Sequence, residues 1–216
     1  MSKKLTELVF ILDKSGSMGG LESDTIGGYN SMLKKQQEAQ GDAVITTVLF
    51  NDKIEIIHDR IHVKGVSPLT EKDYEVGGTT ALLDAIGYSI QKIRNVQKRT
   101  KEELRADHVL FVITTDGMEN SSREFSAQKI REMIEYQKKH HGWEFVFLGA
   151  NIDAIATAKQ FGINEDYAVD YHADSVGTNI NFEAISDLAM DVRQGKRIDR
   201  RWKDKIERDY NRRNKR

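Results

Sequence analysis

The sequence contains no cysteine, and only one of its 216 residues is a proline. Without cysteine the chain can form no disulfide, no thiolate zinc site and no cysteine nucleophile. This composition is typical of a reducing compartment, so we expect a cytoplasmic protein. No apolar run approaches the ~18 residues that a membrane helix requires. Residues 1–7 also lack the apolar stretch and the cleavage site of a signal peptide, so we expect no membrane association.

The charges nearly balance, with 33 Lys and Arg against 34 Asp and Glu, but they are distributed unevenly. Residues 193–216 carry a net charge of +8, which leaves the rest of the chain at −9. We interpret residues 1–192 as one domain and residues 193–216 as a basic, partly helical tail. The tail could bind nucleic acid. The spacing of Ile198, Trp202 and Ile206 favours instead an amphipathic helix that packs on the acidic body or on a partner.

Short apolar runs alternate with segments of helical periodicity. The run after residues 51–53 must be antiparallel to the run before it, because three residues cannot cross over a sheet. The other connections contain helices, which is typical of parallel strands. We therefore predict a doubly wound α/β fold, with a mostly parallel six-stranded sheet, one antiparallel edge strand and helices on both faces. The predicted strands are 7–12, 44–50, 54–57, 109–114, 144–148 and 167–169; the predicted helices are 24–40, from 81 onward, 126–139, 153–161 and 182–192.

The first strand leads directly into a run of polar residues. The apolar run 9–12 ends at Asp13, and Ser15 and Ser17 follow at alternating positions, with glycines that permit a tight turn. Ligands of open α/β sheets bind just outside the carboxyl ends of the strands, which is where these three residues should lie. Asp and Ser are also ordinary cap and turn residues, so this motif alone is a weak signal.

Two further segments should reach the same point. Asp116 follows the fourth strand, which should neighbour the first where the winding reverses, and Thr79 and Thr80 follow a pair of glycines. Oxygen ligands without His or Cys select a hard cation such as Mg²⁺, Mn²⁺ or Ca²⁺. Two carboxylates balance one dication, and hydroxyl ligands leave the ion electrophilic. The set therefore indicates an ion that can bind one more carboxylate from outside the chain.

These three segments resemble the metal-ion-dependent adhesion site (MIDAS) of von Willebrand factor A (vWA) domains. The resemblance covers about residues 5–190 and is strongest to stand-alone cytoplasmic proteins of bacteria and their phages. It implies that Ser15 and Ser17 bind the metal directly, and that Asp13 and Asp116 bind directly or through water. Thr80 fits the family's spacing better than Thr79. The implied metal ligands, all of the residue type that an intact site requires, are Asp13, Ser15, Ser17, Thr80 and Asp116.

The resemblance implies a non-enzymatic, metal-dependent protein-binding module whose partner offers a Glu or Asp to a bound Mg²⁺, with Mn²⁺ or Ca²⁺ as alternatives. A second hypothesis is a metal-dependent phosphoryl or acyl hydrolase that uses Asp13 and Asp116. A third is a nucleic-acid or ribonucleoprotein component that acts through the basic tail. The sequence shows no His, Lys or further carboxylate placed to act as a general acid, which disfavours the hydrolase.

Overall fold

The apolar runs form the centre of a six-stranded sheet in the computed structural model, which describes residues 4–214. The strand order is β3-β2-β1-β4-β5-β6, and only β3 is antiparallel to its neighbour. The predicted fold class, including the antiparallel edge strand, is therefore confirmed. The strands are β1 (Leu5–Asp13), β2 (Asp42–Phe50), β3 (Ile54–His62), β4 (His108–Thr115), β5 (Glu144–Ala150) and β6 (Ala168–Tyr171).

Helices cover both faces of the sheet. One face packs against α1 and α5 through residues such as Met32 and Ile185, and the other packs against α2, α3 and α4. Because both faces are covered, every side chain from 8 to 12 in β1 is at most 1% exposed. The helices are α1 (Glu22–Glu38), α2 (Leu82–Arg99), α3 (Ala127–His141), α4 (Ala154–Gln160), α5 (Ser175–Arg193) and α6 (Asp204–Asn214).

The start of α5 differs from the prediction. The helix begins at Ser175, seven residues before the predicted start, because the Asp174 side chain caps it by accepting a hydrogen bond from the Gly177 amide at 2.8 Å. The first two turns are rich in small and polar residues and so lack the apolar periodicity that marks a helix in a sequence.

The basic C-terminal segment folds against the sheet. Arg193 belongs to α5 and is only 5% exposed; its guanidinium donates to backbone carbonyls at the C-terminal end of α1. Lys203 is 2% exposed and donates to the carbonyl oxygens of Glu165 and Ala168. Ile206 of α6 is buried against the same core as α5. The tail predicted from the charge distribution therefore contributes buried residues at the end of α1, through Arg193, and beside β6, through Lys203.

No helix within residues 4–214 is long and apolar enough to cross a membrane.

Candidate metal centre

The ends of β1 and β4 bring the predicted carboxylates and serines together. These strands are parallel neighbours, with Leu12 opposite Thr114, so the residues that follow both strands meet at one edge of the sheet. The Ser15 and Ser17 hydroxyl oxygens are 3.1 Å apart, and the Ser17 hydroxyl donates to Asp116 Oδ1 at 2.6 Å. We refer to this group, together with Asp13 and Thr80, as the carboxylate–hydroxyl cluster.

The Thr80 hydroxyl lies beside the two serines. A methyl group placed on the Cα atom of Gly117 would lie 3.0 Å from both Ser17 Oγ and Thr80 Oγ1, and 3.7 Å from Ser15 Oγ. Three hydroxyl oxygens from two segments of the chain therefore surround one atom-sized space. The structure brings all five predicted residues to this edge of the sheet, with Thr80 rather than Thr79 on the cluster.

Backbone contacts hold the Thr80 loop against the β1 loop. The Gly16 amide donates to the Gly78 carbonyl at 3.1 Å, and the Gly77 amide donates to the Lys14 carbonyl at 3.0 Å. Gly78 has φ +76°, a conformation that strains any other side chain, and a Cβ atom there would also displace the carboxylate of Asp52, which lies 2.1 Å from its position.

Asn120 connects the Thr80 loop to the segment after β4. The Thr80 amide donates to the Asn120 side chain at 2.9 Å, and the Asn120 amide donates to the Thr80 carbonyl at 3.1 Å. These two hydrogen bonds fix the position of Thr80 relative to the loop that carries Asp116. Asn120 therefore holds two loops of the cluster together.

Asp13 is the most deeply held carboxylate of the cluster, with a hydrogen bond to each of its oxygens. It is 1% exposed; its Oδ1 accepts from the Ser15 amide at 2.7 Å, and its Oδ2 accepts from the Thr115 hydroxyl at 2.5 Å. The buried Tyr74 hydroxyl donates to the Asp13 carbonyl oxygen. Sequence patterns did not predict Tyr74, because it lies in an irregular loop that carries no periodic signal. Thr115 lies within the motif quoted for Asp116, but its contact with Asp13 depends on the pairing of β1 with β4.

One carboxylate oxygen of Asp116 has no hydrogen-bond partner among the described residues. Its Oδ1 is occupied by Ser17, whereas its Oδ2 is buried and accepts no hydrogen bond from any of residues 4–214. A buried carboxylate oxygen without a partner is costly, because it has lost its hydration without replacement. The unsatisfied atom therefore indicates that a further donor or a cation belongs at this position.

Burial also raises the pKa of both carboxyl groups. Desolvation is the largest cause for Asp13 and is partly offset by hydrogen bonds from Ser15 and Thr115. Desolvation likewise raises the pKa of Asp116, against the hydrogen bond from Ser17 and together with repulsion from Asp13. A cation between the two groups would remove that repulsion and favour the ionised forms.

The donor chemistry fits a hard divalent cation. The cluster offers carboxylate and hydroxyl oxygens alone, which suit Mg²⁺, Mn²⁺ or Ca²⁺. Within residues 4–214, no three side chains of His, Cys, Asp or Glu type gather around a common metal position, which agrees with a cluster that has only two acidic members. Any metal bound here would depend on the three hydroxyls for the rest of its protein ligands.

Comparison with known proteins shows the fold of this chain. Proximal thread matrix protein 1 from the mussel byssus is 15% identical, with a TM-score of 0.59; the match covers 88% of this chain and 47% of that one. The vWF domain of the pilus tip protein Mfa5 from Porphyromonas gingivalis is 10% identical, with a TM-score of 0.59 over 87% of this chain and 95% of that one. Manganese-loaded TRAP from Plasmodium vivax is 18% identical, with a TM-score of 0.53 over 84% and 74%.

These similarities establish that the chain has the fold of a von Willebrand factor A domain. The chain spans about half of the length of the mussel protein. Another structure of that mussel protein holds zinc in its MIDAS motif. No protein-family model matches the chain. No curated protein matches it either.

Proposed function

We propose that the chain is a non-enzymatic protein-binding module that requires a divalent metal ion at the carboxylate–hydroxyl cluster. The hydroxyls of Ser15, Ser17 and Thr80 would hold the ion, with Asp13 and Asp116 binding directly or through water. When bound there, Mg²⁺ (or Mn²⁺ or Ca²⁺) supplies a Lewis-acidic position that accepts a Glu or Asp side chain of a partner protein. The observation that carries the proposal is the unsatisfied Oδ2 of Asp116 beside three convergent hydroxyls.

The charges of the cluster favour an external carboxylate as the final ligand. Asp13 already accepts one hydrogen bond on each carboxylate oxygen, so part of its negative charge is used within the chain. Ser15, Ser17 and Thr80 contribute neutral oxygens. This arrangement neutralises a dication only partly at short range, and a partner's carboxylate completes the balance.

Known proteins of the same fold support this proposal. The mussel protein binds zinc at a MIDAS motif, and TRAP has been obtained with manganese. Another neighbour is a domain of a pilus tip protein. Magnesium, the acidic residue of the partner and the cytoplasmic location remain predictions for this chain.

The contacts of the described residues favour neither alternative function. Lys14, the cation next to Asp13, is 5% exposed and forms an ion pair with Glu55 at 2.9 Å, so it does not face the cluster as a general acid. In the C-terminal segment, Lys205 pairs with Asp187 at 3.2 Å and Arg201 pairs with Asp199 at 2.9 Å. These pairs reduce the charge that the segment offers to phosphates.

Affinity capture with a matched variant tests the proposal. The wild type, Ser17→Ala and Ser23→Ala are immobilised and exposed to native lysate in Mg²⁺ or in EDTA. Ser17 provides a cluster hydroxyl, whereas Ser23 is an exposed serine in the first turn of α1. We expect the wild type and Ser23→Ala to retain a partner in Mg²⁺. Ser17→Ala should not retain it, and no protein should retain it in EDTA. Equal retention in all lanes would show that the cluster does not bind the partner.

A second step tests the acidic ligand. Each Glu and Asp within the captured partner's binding segment is changed to Gln or Asn. We expect one such change to abolish capture in Mg²⁺. Undiminished capture by every variant would contradict coordination of a partner carboxylate.

A further inference from the structure

A second candidate site lies at the edge of the sheet opposite the carboxylate–hydroxyl cluster. It is a cleft of about 380 Å³ between the C-terminal ends of α2 and α3. Because α2 begins beside Thr80 and ends at Arg99, its length separates the two sites. A volume of this size lies within the range of about 300–1,000 Å³ that is typical of small-molecule sites.

The cleft is basic and has no acidic lining. Arg94, Lys98, Arg105 and His141 line it, and none of its described lining residues is Asp or Glu. The side chains of Arg94 and Lys98 form no hydrogen bond or ion pair with any of residues 4–214, and Arg105 donates through its side chain only to the Thr100 carbonyl, at 2.9 Å. The cations of this cleft are therefore free to bind an anion.

Helix ends explain only part of this charge. Lys98 lies in the last turn of α2, where positive charge is favourable beside free carbonyls. Arg94 lies more than a turn before the end of α2, and Arg105 lies beyond it. These two arginines come from different segments and still line the same cleft, so the convergence of charge needs a separate explanation.

The cleft also contains a buried acceptor without a donor. Gln137 is 2% exposed, and its Oε1 atom accepts no hydrogen bond from any described residue. A ligand that combines a negative group with an N–H or O–H donor would pair with both the free cations and this oxygen.

An aromatic surface borders these polar groups. Tyr136 is 49% exposed, and its ring lies 4.5 Å from the ring of His140 at a tilt of 33°. Trp143, which also lines the cleft, is held by stacking on Phe111 with ring centroids 5.5 Å apart. An exposed ring beside unpaired arginines offers a stacking surface for a planar heterocycle.

We propose that this cleft binds a nucleotide. The phosphate lies among Arg94, Lys98 and Arg105, and the base stacks on the exposed ring of Tyr136. A rotation of the Gln137 side chain brings its buried Oε1 to the cleft, where it accepts from an amino or imino N–H of the base. The ligand is either a free mononucleotide or one nucleotide unit of a single strand, since both present the same phosphate and base. The site is independent of the metal centre.

Binding measurements on the full chain test this site and separate the two sources. Isothermal titration is carried out with the four nucleoside 5′-monophosphates and with inorganic phosphate, and fluorescence anisotropy with a short labelled single-stranded oligoribonucleotide. We expect at least one mononucleotide or the oligonucleotide to bind with Kd below about 1 mM. Binding of a mononucleotide but not of the oligonucleotide would indicate that the ligand is a free nucleotide. Binding of the oligonucleotide but not of any mononucleotide would indicate a single strand. Absence of binding to either would refute the proposal, as would phosphate binding as tightly as the nucleotides.

Paired variants assign the binding to the cleft. Lys98→Ala should weaken binding, whereas Arg99→Ala, which removes an exposed cation of the same turn that does not line the cleft, should not. Tyr136→Ala should lower affinity by about tenfold, the loss expected for one base–aromatic stack. Equal losses for Lys98→Ala and Arg99→Ala would show attraction to general positive charge and would overturn the assignment.

A variant of the buried acceptor tests the role of the base. Gln137→Leu keeps a similar volume and removes the unsatisfied oxygen, so we expect nucleotide affinity to fall while the thermal midpoint of unfolding does not. An unchanged nucleotide affinity in this variant would contradict the proposed contact with the base.

Discussion

Gly117→Ala should remove metal binding while leaving the fold intact. The added methyl group would lie 3.0 Å from Ser17 Oγ and from Thr80 Oγ1, which requires each hydroxyl to move by a few tenths of an ångström. Metal sites tolerate deviations of about 0.2 Å, and Mg²⁺ demands near-ideal distances of about 2.0–2.1 Å. We therefore expect the Kd for Mg²⁺ to rise by about tenfold or more.

The folded state should tolerate this change. The backbone at Gly117 does not adopt the left-handed conformation, so alanine fits it without strain. Alanine also lowers the conformational entropy of the unfolded chain, which stabilises the folded state by about 0.4–1 kcal/mol. The tight contacts offset this gain, so the thermal midpoint measured in EDTA should stay within about 2–4 °C of the wild type. Gly77→Ala is the matched control, since its Cβ would meet nothing within 4 Å.

Calorimetric titration with Mg²⁺ compares the three proteins. The wild type and Gly77→Ala should bind alike, and Gly117→Ala should bind weakly or not at all. Retention of wild-type affinity by Gly117→Ala would refute the placement of the ion among these hydroxyls.

Three further predictions concern stability. His58 is 2% exposed and burial lowers its pKa, so the unfolded state binds the proton more readily than the folded state. The free energy of unfolding should therefore fall as the pH drops below about 6.5. Denaturant titrations at several pH values should show a smaller fall for His58→Gln. Lys203→Ala leaves the carbonyls of Glu165 and Ala168 without their donor and breaks the ion pair with Glu207, so it should cost about 2–4 kcal/mol and lower the thermal midpoint by roughly 4–16 °C. Lys205→Ala, which removes only an exposed ion pair with Asp187, should cost less than about 0.5 kcal/mol. Asp84 accepts hydrogen bonds from the amides of residues 123–125, so Asp84→Ala should cost about 2–4 kcal/mol in chemical denaturation and Asp84→Asn should recover part of that loss. Wild-type stability in Lys203→Ala or in Asp84→Ala would contradict the explanation for that residue, and an unchanged pH dependence in His58→Gln would contradict the one for His58.

The sequence predicted the sheet well because buried parallel strands have a strong signature. The run that ends at Asp13 and the run that ends before Asp116 are apolar throughout, and the short connection 51–53 determines an antiparallel neighbour. Alternation with helices then leaves few topologies, which is why the convergence of the two loops could be predicted as well.

Other features depend on tertiary contacts that no local pattern encodes. The hydroxyl of Tyr74 reaches the Asp13 carbonyl from a loop that begins far along the chain. Lys203 and Arg193 are buried because their donors reach free carbonyls of other elements, a contact that the charge count of the basic tail does not predict. Arg94 and Arg105 likewise share no sequence motif with Tyr136 and Gln137, although all four line one cleft.

The most direct test of the central claim is the crystal structure of the full chain soaked in Mn²⁺, measured at a wavelength that locates manganese by anomalous scattering. We expect one strong peak at the carboxyl edge of the sheet, bonded to Ser15 Oγ and Ser17 Oγ, with Thr80 and Asp116 bound directly or through water. An ordered cluster without a peak, or a peak bonded only to residues elsewhere, would contradict it.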